Sequence, residues 1–518
     1  MLPSGKSSRQ QRSAVGRAPA WLIIAAAVCA TAAAIPLAYL FVRIGDAGIR
    51  TLVDTLFRER VLQLALNSAA LTVAVTVTCF GLGATIGVVV SRIRLPGGSV
   101  WLFLSALPLA VPSYLAAYGW LVFAPGLNGF FPSWLVMTAV CLPYVVLPVS
   151  AVLRGPSNDV EAVARTLGRG PIGAFRVATW PRVRPAATAG ALLVALYTLS
   201  EFGAVSMLRY QTLTWGIKSA YGSSFDRNQA ALLALVLVIF ALLIVASERL
   251  TRRQAVTVAG RKPDMKPVRN AWVPILLALV LAPPVIGVGV PLSGLLLQLT
   301  DAETLREIDG PRLFGAVGAT ILLAVGGAFF AVVLALPIAV LSARFRGRIV
   351  SVIESVGYLG HALPGIVVGL ALVFFSLSVV PYLYQTVVLL VFAYAVLFMS
   401  KAIGSTRSGL AAVPQSLIDV SRTQGLSPRV VWQRVTFRLA APAIGVGALL
   451  VGIAVLKELP ATLLLRPTGV STLAVELWNR TSVLEYGSAA PFAAALVFLT
   501  AVPTYLLSGI RNLAKEKP

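Results

Sequence analysis

Apolar runs close to twenty residues long recur from one end of the sequence to the other, beginning with WLIIAAAVCATAAAIPLAYLFV at 21–42. A helix of that length crosses about 30 Å of hydrocarbon. A bilayer admits only elements that satisfy their own backbone hydrogen bonds, which leaves helices and closed barrels. No ten-residue alternating pattern suggests a barrel, so the runs read as helices. They give twelve candidates, at about 21–42, 63–90, 100–123, 134–153, 186–207, 228–248, 272–296, 314–341, 351–378, 384–400, 442–464 and 488–510. With only 19 acidic residues in 518 and a mean hydropathy of +0.87, a soluble fold would lack polar surface. The expected class is all-α: a polytopic membrane protein.

The net charge of +24 raises the question of nucleic acid, which the placement of the charges answers. If the N-terminus is cytoplasmic, the segments on that side hold 31 Lys and Arg against 11 on the other, with Lys457 alone inside a helix. That is the positive-inside pattern, with both termini in the cytoplasm. The basicity is thus a topology signal, and no nucleic-acid partner is expected. The first apolar run is longer than the 7–15 residues of a signal peptide's core, so it reads as a retained helix. Cys29, Cys79 and Cys141 lie in apolar runs without ligand-like spacing and read as packing residues. His361, the sole histidine, reads as a helix-packing residue.

A charged, helix-breaking stretch at 249–271 splits the chain nearly in half, which prompts a search for a repeat. Residues 161–209 laid without gaps on 418–466 match at 18 of 49 positions. The matches include Arg165/Arg422, Thr166/Thr423, Gly168/Gly425, Pro171/Pro428, Pro185/Pro442 and Glu201/Glu458. The organisation read from this is a tail at 1–20, a first transmembrane half at 21–248, the linker, a second half at 272–510 and a tail at 511–518. Two parallel six-helix repeats, each with one long cytoplasmic loop (154–185 and 401–441), would suit a transporter with its path at the repeat interface. Within each loop the pattern predicts a short helix, a glycine turn and a second short helix. Asn158 and Ser416 are the expected N-caps, Gly168 and Gly425 the left-handed ends, and Pro171 and Pro428 the first turns of the second helices. Paired loops of this kind suit docking to a two-fold symmetric partner.

The strings EAVARTLGRGPIGAFRVATWP and DVSRTQGLSPRVVWQRV resemble the EAA signature of ABC importer permeases. In that family the loop forms a coupling helix seated on an ATPase subunit. Gly168 and Pro181 match the signature in the first copy. Glu161 stands one residue early there, so Ala162 holds the signature position. In the second copy Asp419 is on register, while Arg438 replaces the expected proline. The resemblance implies ATPase coupling through Glu161, Ala162, Arg165, Gly168, Pro171, Asp419, Arg422, Gly425 and Pro428. Two further strings, LSEFGAVSMLRYQTLTWGIKSAYGSS and LKELPATLLLRPTGVSTLAVELWNR, resemble the ferric-iron branch, whose permeases fuse two halves in one chain. The alternatives are the same architecture importing thiamine or another small solute such as a polyamine or phosphonate, or an ion-coupled secondary transporter.

No stretch reads G-x-x-x-x-G-K-[ST], so ATP and Mg are expected on a separate, homodimeric ABC ATPase and no cofactor on this chain. The resemblance also implies an extracytoplasmic solute-binding protein and a place in a bacterial plasma (inner) membrane. The chain reads as a transport subunit and not an enzyme. Glu201 and Glu458 are the sharpest candidates for the translocation pathway, since a carboxylate inside an apolar helix marks a path, a gate or a paired structural site. Salt bridges to Lys457, Arg209 or Arg466 are the competing structural explanation. Tyr114, Tyr118, Tyr382 and Tyr384 read as an aromatic belt.

Overall fold

The computed structural model describes residues 18–47, 54, 56–98, 100–154, 160–222, 227–251, 270–306 and 308–513. Most of the linker at 249–271, and the N-cap expected at Asn158, lie outside the described residues. The described residues are mostly helical. Among the described residues ten helices are long and apolar enough to cross a bilayer, including Glu59–Arg92, Pro171–Ser200, Gly310–Arg344 and Pro428–Leu456.

Four of the twelve expected helices are not continuous: those at 186–207 and 442–464 break at Glu201 and at Lys457-Glu458, and the other two break at proline. The run at 100–123 is two helices, Val100–Ala110 and Ser113–Phe123, bent by 91° at Val111-Pro112. The run at 351–378 divides into Arg348–Gly357, the 3-10 turn Leu359–Ala362 and Gly365–Val379, with Pro364 capping the last. Proline is the cause in these two. It has no N–H to give the preceding turn and pushes its predecessor out of helical backbone, so the chain turns at Val111 and Leu363, both extended. His361 lies in the second of these turns; its side chain is outside the described residues.

The spanning helices are apolar on every side, and what separates their faces is packing. Along Glu59–Arg92, Leu62, Leu66, Val73 and Val77 are exposed, while Val61, Leu64, Leu71, Val75 and Cys79 are buried. The exposed stripe faces where lipid would lie. On the buried side small residues let helices approach closely: a Cβ added to Gly83 would stand 2.7 Å from that of Val145, so alanine does not fit without movement.

The first helix of each half packs on the other half. Ala20–Ala47 lies against Gly310–Arg344, Arg348–Gly357 and Gly365–Val379. Tyr39 meets Phe375 edge-on at 5.7 Å. In the reverse sense, Val290–Thr300 lies against Ser113–Phe123, where Trp120 donates to the Ile286 carbonyl at 3.0 Å. Each boundary drawn on the sequence therefore encloses a helix that is buried elsewhere.

The same order of elements runs through both halves. A π-helical stretch occurs at Phe175–Thr179 and at Trp432–Thr436, and a break at the far end of the next helix at Glu201 and at Lys457-Glu458. Leu213 N–H donates to Ser68 Oγ at 2.7 Å and Leu473 N–H to Thr320 Oγ1 at 2.9 Å, which puts Leu213 and Leu473 in corresponding places. By that register Arg60 corresponds to Arg312. Arg60 stacks on Trp215 at 5.5 Å, whereas Arg312 pairs with buried Glu476 at 3.0 Å.

Candidate functional site

Each cassette is a short helix closed by a left-handed glycine. The helices are Val160–Thr166 and Gln415–Thr423, and Gly168 and Gly425 follow with φ of +81° and +80°. After the first helix, Gly168 N–H donates to the Arg165 carbonyl and Arg169 N–H to that of Ala164; after the second, Gly425 donates to Arg422 and Leu426 to Ser421. This crossed pair of bonds is the Schellman ending, and it needs the left-handed residue that glycine provides. Pro171 and Pro428 then open the next helix. That helix is not the separate second piece expected from the pattern: it runs through the π-helical stretch into the membrane span without a break, as Pro171–Ser200 and Pro428–Leu456. Motion of the cassette is thereby tied to a spanning helix. Ser416 is not the N-cap either; Pro414 holds that position in extended backbone.

The one-residue offset of the two acids places them on different faces. Glu161 points inward. Its carboxylate stands 3.5 Å from Arg92 at the end of Glu59–Arg92, 3.4 Å from Arg165, and accepts from Thr179 Oγ1 at 3.1 Å. The corresponding residue in the second copy is Ile418, buried with Val413 and Val431. Asp419 lies one step further round, exposed, with Gln415 Nε2 donating to it at 3.2 Å. Its counterpart Ala162 is exposed too, as are Arg165, Gly168, Pro171, Arg422, Gly425 and Pro428. Reasoning from charged residues missed the apolar part of this surface. Val163, Leu167 and Ile172 are open in the first cassette, Leu417 and Val420 in the second. Their helical spacing was the available signal.

At the other end of the spanning helices, Glu201 and Glu458 interrupt the chain in matching ways. Ala204 N–H donates to Glu201 Oε1 at 2.9 Å, and Ala461 N–H to Glu458 Oε1 at 3.1 Å. Each carboxylate thus caps the short helix that follows it, Gly203–Met207 or Pro460–Leu465. The main-chain oxygens are also held, Glu201 O by Thr214 Oγ1 at 2.6 Å and Glu458 O by Thr462 Oγ1 at 2.9 Å. Both lie at the two proline breaks. Ser113, which begins the helix after Pro112, hydrogen-bonds Glu201, and a Cβ on Gly365, which begins the helix after Pro364, would run into the Glu458 carboxylate.

The salt bridges weighed as an explanation for the glutamates are not formed among the described residues. Lys457 Nζ donates to the Leu109 carbonyl at 2.9 Å, across the interface between the halves, and Arg466 donates to Val470 O at 3.1 Å and Ser471 Oγ at 2.6 Å. The aromatic belt needs correction as well. Tyr114 and Tyr118 are interior, Tyr118 donating to the Tyr486 carbonyl at 2.8 Å, because the bend at Pro112 turns their helix into the protein; Tyr382 is exposed. Cys79 and Cys141 are buried, and among the described residues no group of three or more His, Cys, Asp or Glu is arranged to hold a metal.

A multi-pass helical protein with two such loops at one end and paired helix breaks at the other has the architecture of a transport permease. The sequence agrees. Residues 331–515 match the family described as binding-protein-dependent transport system inner membrane component. The Fe(3+)-transport system permease protein FbpB 2 of Haemophilus influenzae is 30% identical over 497 residues, covering 95% of this chain and 98% of that protein. The molybdenum transport system permease protein ModB of Mycobacterium tuberculosis is 29% identical over 44% of this chain and 92% of its own length. The sulfate transport system permease protein CysW of Escherichia coli is 25% identical over 40% of this chain and 79% of its own. The chain belongs to the binding-protein-dependent ABC transport permeases. It is a multi-pass inner-membrane transport subunit and not an enzyme, and its family implies a solute-binding protein and an ATPase as partners.

Proposed function

We propose that this chain is the fused permease of a ferric-iron importer. The observation that carries the substrate is coverage: the iron permease aligns along nearly the whole of both chains, whereas the molybdenum and sulfate permeases align with less than half of this one. Two parallel halves would then surround one path. The excess of Lys and Arg supports placing the cassettes and both termini in the cytoplasm. There the exposed Val163, Leu167, Val420 and Leu417, with Arg165, Arg422 and Asp419 around them, offer two similar surfaces to a homodimeric ATPase. Closure of that ATPase would push on the cassettes. Because each cassette continues into a spanning helix, the push reaches the opposite end as a rigid-body movement of Pro171–Ser200 and Pro428–Leu456.

Those helices end at Glu201 and Glu458, so movement of the cassettes bears on the carboxylates and on the proline breaks beside them. Carboxylate oxygens are hard donors suited to transient contact with Fe³⁺ as cargo. The test is ATP-dependent uptake of radiolabelled iron by the reconstituted permease–ATPase complex with its binding protein, with thiamine, molybdate and sulfate as competitors. Iron uptake is expected, and uptake of a competitor without iron would overturn the substrate. Glu201→Gln with Glu458→Gln keeps a hydrogen-bond acceptor for both caps while removing the charges. This double variant is expected to lower uptake at least tenfold while leaving ATPase assembly intact, and unchanged uptake would remove the carboxylates from the path.

A further inference from the structure

A cavity of about 210 Å³ opens between the halves at the end opposite the cassettes. Its polar lining includes Arg209, Lys218, Ser206, Thr481, Trp478 and Tyr486, and no carboxylate. The two acids adjacent in sequence to the lining are engaged elsewhere: Glu485 stands 3.9 Å from Arg480 and accepts from Ser488 Oγ at 3.1 Å, and Glu201 accepts from Ala204 N–H at 2.9 Å. Among the described residues neither Arg209 nor Lys218 has an ion-pair partner. Lys218 Nζ stands 3.9 Å over the Trp478 ring, whose Nε1–H donates to Ser206 Oγ at 2.9 Å. Burial there lowers the Lys218 ammonium from its ordinary value, as expected for a cation without a counter-charge.

Comparison of the halves shows that this is not a generic feature of the loop. Arg466 corresponds to Arg209 in the repeat, yet Arg466 is spent on its own loop, on Val470 O and Ser471 Oγ. Arg209 is exposed and sits in left-handed backbone with φ of +51°, a conformation that arginine adopts only at a cost. The register set by Leu213 and Leu473 makes Lys218 the counterpart of Trp478. A residue stacked on its own counterpart lies at the axis relating the halves, so the cavity is central to the mouth.

We infer that this cavity is an anion site, in which Arg209 and Lys218 bind one anionic oxygen group with the Tyr486 hydroxyl beside them. The group is either a small free oxyanion or a carboxylate side chain carried by the docked solute-binding protein. The site goes beyond the transport reading.

The test uses the full-length permease with its ATPase in nanodiscs. Sodium sulfate and sodium acetate are titrated at constant ionic strength against chloride. Fluorescence of Trp478 is the readout, isolated by subtraction of the Trp478→Phe protein. The affinity of the binding protein is measured in parallel. A saturable sulfate or acetate response, weakened roughly tenfold or more in Arg209→Gln by the usual worth of a charged hydrogen bond, supports a free oxyanion. Arg466→Gln should leave that response unchanged. The absence of a small-anion response, with binding-protein affinity reduced roughly tenfold in Arg209→Gln by the same measure, supports a partner carboxylate. If neither quantity changes in Arg209→Gln or Lys218→Gln, while both proteins remain monodisperse and bind the ATPase, the site is refuted.

Discussion

At the scale of single residues, the two acids of the cassettes are placed differently. Glu161 joins its cassette to the bundle through Arg92 and Thr179, whereas Asp419 faces outward with only Gln415 at hand. One residue is about 100° on a helix, which turns the same functional group from a tether into an exposed group. Asp419→Ala is therefore expected to weaken ATPase binding several-fold, and Glu161→Ala to leave binding near normal. The second change should instead loosen the cassette by about 1 kcal/mol, the scale of a partly exposed ion pair with a hydrogen bond. Binding assays on both variants, with proteolysis rates of the first cassette, check this ranking; equal losses of binding would reject it. The sequence showed the offset between Glu161 and Asp419. It did not show what stood inside, because Arg92 is 69 positions away and nothing in its local context marks it as a partner.

At the scale of elements, the glycine turns were the most legible feature. Gly168 and Gly425 were expected in left-handed backbone from the pattern of Arg-Thr-x-Gly-x-x-Pro, and they have it, since a local hydrogen-bond motif is written in local sequence. A Cβ at either glycine would meet open space, so substitution there tests backbone conformation alone. Gly168→Ala and Gly425→Ala should each cost about 1 kcal/mol of local stability from the left-handed penalty. ATPase activity in the complex should then be less responsive to the binding protein, while iron-independent ATPase binding falls by a smaller factor. Hydrogen exchange at Arg169 and Leu426, the donors that close the two turns, is the direct measure; unchanged protection would mean the turns do not order the cassettes. The helix breaks were partly legible. Pro112 and Pro364 interrupt their apolar runs in the sequence, but the 91° bend that carries Tyr114 and Tyr118 inward depends on tertiary packing. The spanning helices told least about their faces, since a helix apolar on all sides has no periodic signal to separate lipid from protein contact.

At the scale of the molecule, the exchange of first helices decides whether the halves are independent. A linker at 249–271 and an internal repeat suggest two separable units, yet Ala20–Ala47 is buried against the second half and Val290–Thr300 against the first. Ala26 and Ala33 are fully buried, and Lys457 reaches across to Leu109 at the first proline break. The repeat was visible because it is a relation between two stretches of sequence. The exchange was not, because it reverses which half each first helix serves without altering its composition. A chain cut within 252–269 should consequently reassemble when residues 1–251 and 270–518 are produced together, since no described contact depends on the linker. Each piece made alone should be unstable, having lost the helix its core requires and exposed the helix its partner needs. Removing residues 1–47 from the intact chain should lower the stability of the second half, read as faster proteolysis of Gly310–Arg344 and Gly365–Val379. Stable accumulation of either piece alone would show that the exchanged helices are dispensable to the packing, and the fused architecture would then require another explanation than mutual burial.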